Sequence, residues 1–258
     1  MKKRRKKQLI SRGFAASLPS ILEIESCTRC NIHPPCVMCY PRLFDKRGFS
    51  GDICDAAVQK LLPYMRGFKT ISLHGVGEPL LGKKLLALLD KTDPDKTWVQ
   101  FDSNGLLLTE EMSRILISKK LNMIDFSLDA ATRETYRKIR RSDFDLVIGN
   151  IKRLSMMKQA SGVSRPKIKV NMTLMRENAA EIVAFVDLAG ELGAEIIHLG
   201  LLNPTKDYEV WNGDFVFRYH DQMIDVKAPE FREAVETARR KARSRGIEFV
   251  AEFSGYYK

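Results

Sequence analysis

The feature that most constrains this chain is a repeated switch between two hydrophobic periodicities. Short β-rich runs begin at Ile21 (ILEIE), Lys69 (KTISLH), Trp98 (WVQFDS), Met123 (MIDFSLD), Lys167 (KIKVNMTL), Glu195 (EIIHLGLL) and Ile247 (IEFVAEF). Their length and residue types predict strands. Between them lie amphipathic stretches predicted as helices: 52–66, 80–91, the Thr109-capped TEEMSRILISKK, 143–159, 178–192 closed by Gly193, and 229–245. Strands and helices that alternate over short links predict a parallel sheet covered by helices. Periodicity alone leaves open whether the sheet curls like a barrel or stays open and doubly wound. Residues 201–228, with Trp211, Phe215, Phe217 and Tyr219, are long for a plain connection, and 203–228 reads as a lid candidate. The organisation expected is a basic tail and lead-in over 1–19 and one core domain over 20–258.

The formal charge of +11 invites a nucleic-acid reading, but six of those charges are the consecutive Lys2, Lys3, Arg4, Arg5, Lys6 and Lys7. A terminal basic block is ordinarily a solvated tail, and an anionic partner such as nucleic acid is the sharper alternative. No apolar run approaches the ~20 residues that span a bilayer, so a soluble protein without a membrane partner is expected. Arg12 and Pro19 interrupt the stretch after the basic block, and no clean apolar signal-peptide core appears. The expected compartment is therefore cytoplasmic and reducing, where clustered thiols mean metal or catalysis more often than disulfides.

In parallel α/β folds the functional site lies beyond the carboxyl ends of the strands. The first run here is followed by a cysteine cluster, the second by GVGEP (75–79), and the third by SNG (103–105). SLD (127–129) closes the fourth, Asn171 sits within the fifth, and GLLNP (200–204) ends the sixth. Singly, these could be ordinary turns, and Ser127 or Asp129 could cap the next helix. Their shared edge favours a polar ligand spread across it. His74, ending an apolar strand, reads as a satisfied core or edge histidine, and Cys54 as a small buried hydrophobe.

The cluster itself is CTRCNIHPPCVMCY, with Cys27, Cys30, Cys36 and Cys39 forming two CxxC pairs five residues apart. Four thiolates close a tetrahedral zinc site. Paired zinc knuckles, however, usually stand further apart, and a short loop of three or four thiolates suits a cuboidal iron-sulfur cluster at least as well.

RCNIHPPCVMCY, LHGVGEPLL, DSNGLLL, FSLDAATRETYRKIR and VNMTLM, in that order from about Ser20 to Leu202, resemble the radical S-adenosylmethionine (radical SAM) superfamily. Within it the resemblance is to the branch of peptide-modifying and cofactor-building enzymes. The resemblance implies a partial (β/α)6 TIM-like barrel whose first loop offers three cysteines to a 4Fe-4S cluster. Here those would be Cys30, Cys36 and Cys39, with Cys27 as the alternative ligand. Met38 and Tyr40 would flank the last cysteine near adenine. Gly77 and Glu78 match the strip lining the methionyl amino group, although Val76 replaces its first glycine. Ser103, Asn104, Ser127 and Asp129 match polar positions near the SAM ribose and carboxylate, and Arg140 a basic residue that grips that carboxylate. Asn171 matches a polar barrel residue, and the main chain near Leu201 an adenine contact.

The family's usual CxxxCxxC departs here to CxxxxxCxxC, with Pro34 and Pro35 stiffening the longer gap. The activity implied is reductive cleavage of SAM to a 5′-deoxyadenosyl radical that takes hydrogen from a substrate, with an external one-electron reductant. A peptide is the first substrate class by analogy with the branch, and a nucleoside or sugar the second. All five cysteines lie at or before position 54, so no auxiliary-cluster domain is expected in this stretch. The rival reading is a non-catalytic zinc or closed iron-sulfur protein that binds nucleic acid through its basic tail.

Overall fold

The computed structural model describes residues 19–39, 51–203, 207–251 and Phe253. All seven expected strands form: β1 (Ile21–Glu23), β2 (Thr70–Ser72), β3 (Trp98–Ser103), β4 (Met123–Ser127), β5 (Lys167–Leu174), β6 (Ile196–Leu201) and, after a hairpin of β7 (Glu209–Asn212) and β8 (Phe215–Arg218), β9 (Glu248–Ala251). They build one parallel sheet in the order β1-β2-β3-β4-β5-β6-β9. The order never reverses, so no switch point of the doubly wound kind exists. The sheet is the barrel-type progression, one strand longer than the (β/α)6 barrel that the resemblance implies, with β1 and β9 at its two ends.

Among the described residues the helices are α1 (Asp55–Leu61), α2 (Leu85–Leu89), α3 (Glu110–Ser118), α4 (Arg133–Arg140), α5 (Phe144–Ala160), α6 (Arg176–Ala179), α7 (Ile182–Glu191) and α8 (Pro229–Ser244). Two caps behave as their sequence predicts: Thr109 accepts from Met112 N at 3.1 Å and Asp143 from Leu146 N at 3.1 Å. The stretch expected as one helix over 52–66 is interrupted where Pro63 lacks an N–H, and only a 3-10 turn, Met65–Gly67, follows. The stretch 80–91 likewise divides at Gly82 into a 3-10 turn, Pro79–Leu81, and α2.

Alternate strand residues point to opposite faces. One face, with Leu73, Val99, Phe101, Ile124, Phe126, Ile168, Val170, Met172, Ile197 and Leu199, forms the main core with the helices, through Leu116, Ile151, Leu154, Phe185 and Ala238 among others. The other face carries Ser72, Gln100, Asp102, Asp125, Ser127, Lys169, Asn171 and His198. Burial of the apolar face supplies most of the stability, at about 1.5–3 kcal/mol for each large side chain fully removed from water.

The lid candidate contains a hairpin, signalled by the Gly213-Asp214 link between two β-rich runs, where the reading above expects only a lid. β7 (Glu209–Asn212) and β8 (Phe215–Arg218) pair antiparallel around Gly213, whose φ of 59° lies in the left-handed region that glycine tolerates. Val210, Phe217 and Tyr219 pack with Val37, Ile139, Met175 and Leu202 in a second apolar cluster. Residues 204–206 and the basic tail fall outside the described residues, and no helix among those described is long and apolar enough to cross a membrane.

Asn178 ties this frame to the carboxyl edge of the sheet. It is fully buried, donates to the carbonyls of Asp129 (2.8 Å) and Thr173 (2.9 Å), and accepts from Met175 N (2.9 Å). Asn178→Ala strands three buried polar groups, so equilibrium urea unfolding should show a loss of about 1–3 kcal/mol.

Candidate functional site

A cavity of about 250 Å³ opens at the carboxyl edge of β1 to β5, lined by Cys30, Cys36, Cys39, Ile32, Met38, Gly75, Val76, Gly77, Glu78, Asp102, Ser103, Asn104, Ser127, Arg140 and Thr173. Three of the four clustered thiols therefore share one wall. Cys27 does not. It is 2% exposed, forms an isolated bridge with Asp52, and its Sγ lies 3.8 Å from the Arg29 carbonyl.

The base of the thiol loop is fixed by several bonds. Thr28 N donates to Gly51 O at 3.0 Å and Glu78 N to Arg29 O at 2.6 Å. Arg29 Nη2 pairs with both Asp52 oxygens at 3.1 and 3.2 Å and reaches Leu81 O at 3.3 Å. A Cβ at Gly77 would run into the carbonyls of Cys27 and Arg29, so only glycine lets the GVGEP backbone lie against this loop. Beyond the base, Val37 N donates to Ile139 O at 3.0 Å and Cys36 Sγ approaches Arg140 O at 3.5 Å, which seats the second half of the loop on the end of α4.

Glu78 is 2% exposed and gives both oxygens to neighbouring loops. Oε1 accepts from Ser103 Oγ at 2.9 Å and Leu80 N at 3.1 Å, and Oε2 from Asn104 N at 2.7 Å. Burial pushes its carboxyl up, against the pull of these donors. Asn104 carries the chain of contacts onward, donating from Nδ2 to Asn31 Oδ1 at 2.8 Å and to Cys30 Sγ at 3.7 Å. On the opposite wall Arg140 Nη1 pairs with Asp129 Oδ2 at 3.0 Å, while Asp129 Oδ1 accepts from Thr173 N at 2.6 Å. Asp129 has a left-handed φ of 62° and is 1% exposed. It is therefore a backbone and guanidinium anchor, not a helix cap; Thr132 caps α4.

Of the residues singled out from the sequence, Cys30, Cys36, Cys39, Met38, Gly77, Glu78, Ser103, Asn104, Ser127 and Arg140 line the cavity, and Asp129 stands behind Arg140. Asn171 and Leu201 lie outside its wall. The carbonyl of Asn171 instead holds the turn after β4, accepting from Leu128 N and Asp129 N at 3.1 Å each, and Leu201 packs on the main core. Tyr40 lies outside the described residues. Gly75 and Val76 join them from the GVGEP stretch, whereas Ile32, Asp102 and Thr173 belong to the wall without having been singled out from the sequence. For Asp102 and Thr173 the available signal is an outward polar position at a strand's carboxyl end. Cys54, expected to be buried, is exposed, because it occupies the extended position just before α1. His74 does find a partner, Asp102, with Nδ1 to Oδ2 at 2.9 Å.

The wall suits an iron-sulfur cluster with one open side. Among the described residues no three Cys, His, Asp or Glu side chains stand ready to grip a single ion, whereas three thiols around a cavity match a cluster several atoms wide. Burial pushes the Cys36 thiol up to about 11, an environment in which metal coordination, not solvation, would deprotonate sulfur. Arg140 Nε is buried without a hydrogen-bond partner, leaving donor capacity for an anion at the cavity.

The Radical SAM superfamily pattern matches residues 24–189. This chain belongs to that superfamily, whose members hold a 4Fe-4S cluster together with S-adenosylmethionine. A probable GTP 3′,8-cyclase of Saccharolobus islandicus (strain M.14.25) is 31% identical over 163 residues, which cover 62% of this chain and 49% of the relative. The tungsten-containing aldehyde ferredoxin oxidoreductase cofactor-modifying protein of Pyrococcus furiosus is 24% identical over 209 residues, 80% of this chain and 56% of the relative. The chain thus spans about half the length of the curated relatives it matches. Among solved structures, Streptococcus suis SuiB bound to S-adenosylmethionine superposes with a TM-score of 0.69 at 17% identity, over 97% of this chain and 55% of that one. It shows the same fold.

The separation of Cys27 from the other thiols is open to test. After anaerobic reconstitution, Cys30→Ala should lose the cluster's absorbance and iron while Cys27→Ala keeps both; the reverse result would move the first ligand to Cys27. The hydrogen bond to Asp102 holds the His74 imidazole above its ordinary 6.5. A folded value above the unfolded one means that the pair stabilises fully below pH ~6.5 and that this contribution is lost as pH rises through the folded value. Unfolding free energies of wild type and His74→Gln should therefore converge as pH is raised.

Proposed function

We propose that this chain is an enzyme that cleaves S-adenosylmethionine reductively and removes a hydrogen atom from a substrate at the mouth of the cavity, a peptide in preference to a nucleoside or sugar. The observation that carries the reading is the meeting of Cys30, Cys36 and Cys39 with Glu78, Asn104 and Arg140 around one cavity at the carboxyl edge of a parallel sheet. When bound, the cluster supplies the electron that divides the sulfonium into methionine and a 5′-deoxyadenosyl radical.

The chain's own residues bind, orient and exclude. Arg140, held from behind by Asp129, presents a guanidinium whose planar fork suits the carboxylate of the methionyl group. Glu78 acts on Ser103 and Asn104, setting the loop that faces the ribose, and its two oxygens are too fully engaged for it to serve as a proton carrier. Ile32, Met38 and Val76 give the wall its apolar share, which keeps water from the reacting centre. An external one-electron reductant completes the system.

Two points support a peptide. The hairpin β7–β8 packs beside the thiol loop, holds Arg141 through Trp211 O (2.5 Å), and leaves Trp211 68% exposed. SuiB, which shares the fold, has been solved bound to its precursor peptide SuiA. The zinc reading needs Cys27 as a fourth thiolate on the same ion, and Cys27 stands outside the wall that the other three share.

Anaerobic reconstitution tests the proposal. About four irons and four sulfides per chain are expected, with an EPR spectrum of the reduced cluster that changes on adding SAM and with 5′-deoxyadenosine formed in the presence of dithionite. One zinc, no iron and no response to SAM would overturn it.

A further inference from the structure

The inner face of the sheet carries a row of charged groups of which only Asp102 lines the thiol cavity. His74, just past β2, meets Asp102 on β3; Asp102 stands in register with Asp125 on β4, and Asp125 with Lys169 on β5. All four project away from the helices, since their sequence neighbours Leu73, Phe101, Ile124, Phe126, Ile168 and Val170 fill the helix-covered face. His74 Nδ1 lies 2.9 Å from Asp102 Oδ2, and Lys169 Nζ 2.7 Å from Asp125 Oδ2. Glu23, at 3.9 Å from His74 Nε2, adds a carboxylate from β1. Glu25 adds another at the rim, accepting from Val76 N at 2.5 Å.

Two observations single out this row. Asp125 is 6% exposed and its Oδ1 has no hydrogen-bond partner, so the row holds one more acceptor than the protein's own donors fill. A buried carboxylate oxygen left unmet is costly, and Lys169 satisfies only its twin. Asp102, by contrast, keeps 45% of its side chain exposed and also lines the thiol cavity. The row is thus continuous with the place where hydrogen abstraction would occur. Its charge runs against that of the chain as a whole, with four carboxylates against one ammonium and one imidazole in a protein of formal charge +11. A local reversal of sign of this kind repels polyanions and draws cations.

We propose that the row His74, Asp102, Asp125 and Lys169 is the substrate-recognition floor of the site, and that it takes a cationic ammonium or guanidinium group of the substrate; this rests on the radical SAM reading above. Asp102 is the exposed acceptor that meets the cation. His74 fixes Asp102 from one side, and Asp125 with Lys169 closes the floor on the other. A peptide with a basic side chain or free amino terminus fits such a floor. A nucleoside triphosphate would set its phosphates against like charge, so the likeness to GTP cyclases does not extend to their substrate.

Calorimetric titration of the reconstituted holoenzyme with N-acetylarginine amide and N-acetyllysine amide, against the neutral N-acetylcitrulline amide and GTP, tests this. Both cationic probes should bind at least about tenfold more tightly than citrulline or GTP. Asp102→Asn should weaken the arginine probe by about tenfold and leave the citrulline probe unchanged, as expected for loss of one half-buried charge pair. Equal binding of charged and neutral probes, binding of none, or preference for GTP would each overturn the assignment. Titration of SAM into the same samples separates the two readings: its failure to bind counts against the proposed function, whereas probe preference alone decides the floor.

Discussion

The buried carboxylate of Glu78 is the interaction on which the rest of the site depends. Its backbone N–H is bonded to the base of the thiol loop, and its two oxygens hold Ser103 and the Asn104 amide at the end of β3. One residue therefore joins the loops that leave three successive parallel strands. Asn104 passes the constraint on to Asn31 and Cys30. A charge in this position is tolerated because three donors meet it, and together they fix the spacing between thiols and the polar wall.

The opposite wall is built by the same logic with the signs exchanged. Arg140 is the cation, largely but not fully buried, and Asp129 its partner, while Asp129 in turn receives Thr173 N from the neighbouring strand. The cavity is thus bracketed by an anion satisfied by neutral donors and a cation satisfied by an anion.

Much of this is legible in the sequence, and the limits have physical causes. The seven strands can be read because each pairs a β-rich apolar face with a turn-rich carboxyl end, and most of the cavity residues lie in the stretches that follow those strands, whereas Met38 and Arg140 are singled out only by the family resemblance. Asn171 and Leu201 fall outside the wall: on β5 the cavity is met at Thr173, two residues beyond Asn171, and the wall stops one strand short of Leu201 on β6. The hairpin β7–β8 is marked in the sequence by Gly213-Asp214 between two β-rich runs; what the sequence leaves out is that its apolar residues pack on the thiol loop and α4, contacts distant along the chain. Cys54 departs from expectation because residue type suggests burial, whereas its place just before a helix sets exposure.

The way the thiol loop is anchored has a consequence for how such loops can change length. Its first residues are locked by Gly77, Asp52 and Glu78, and its last by Ile139 and Arg140, so neither end admits an added residue without dislodging a sulfur. Between the two anchors His33 and Pro34 stand exposed. The two residues that set this chain apart from the usual cysteine spacing fall in that gap, where chain length can vary while the three sulfurs keep their places.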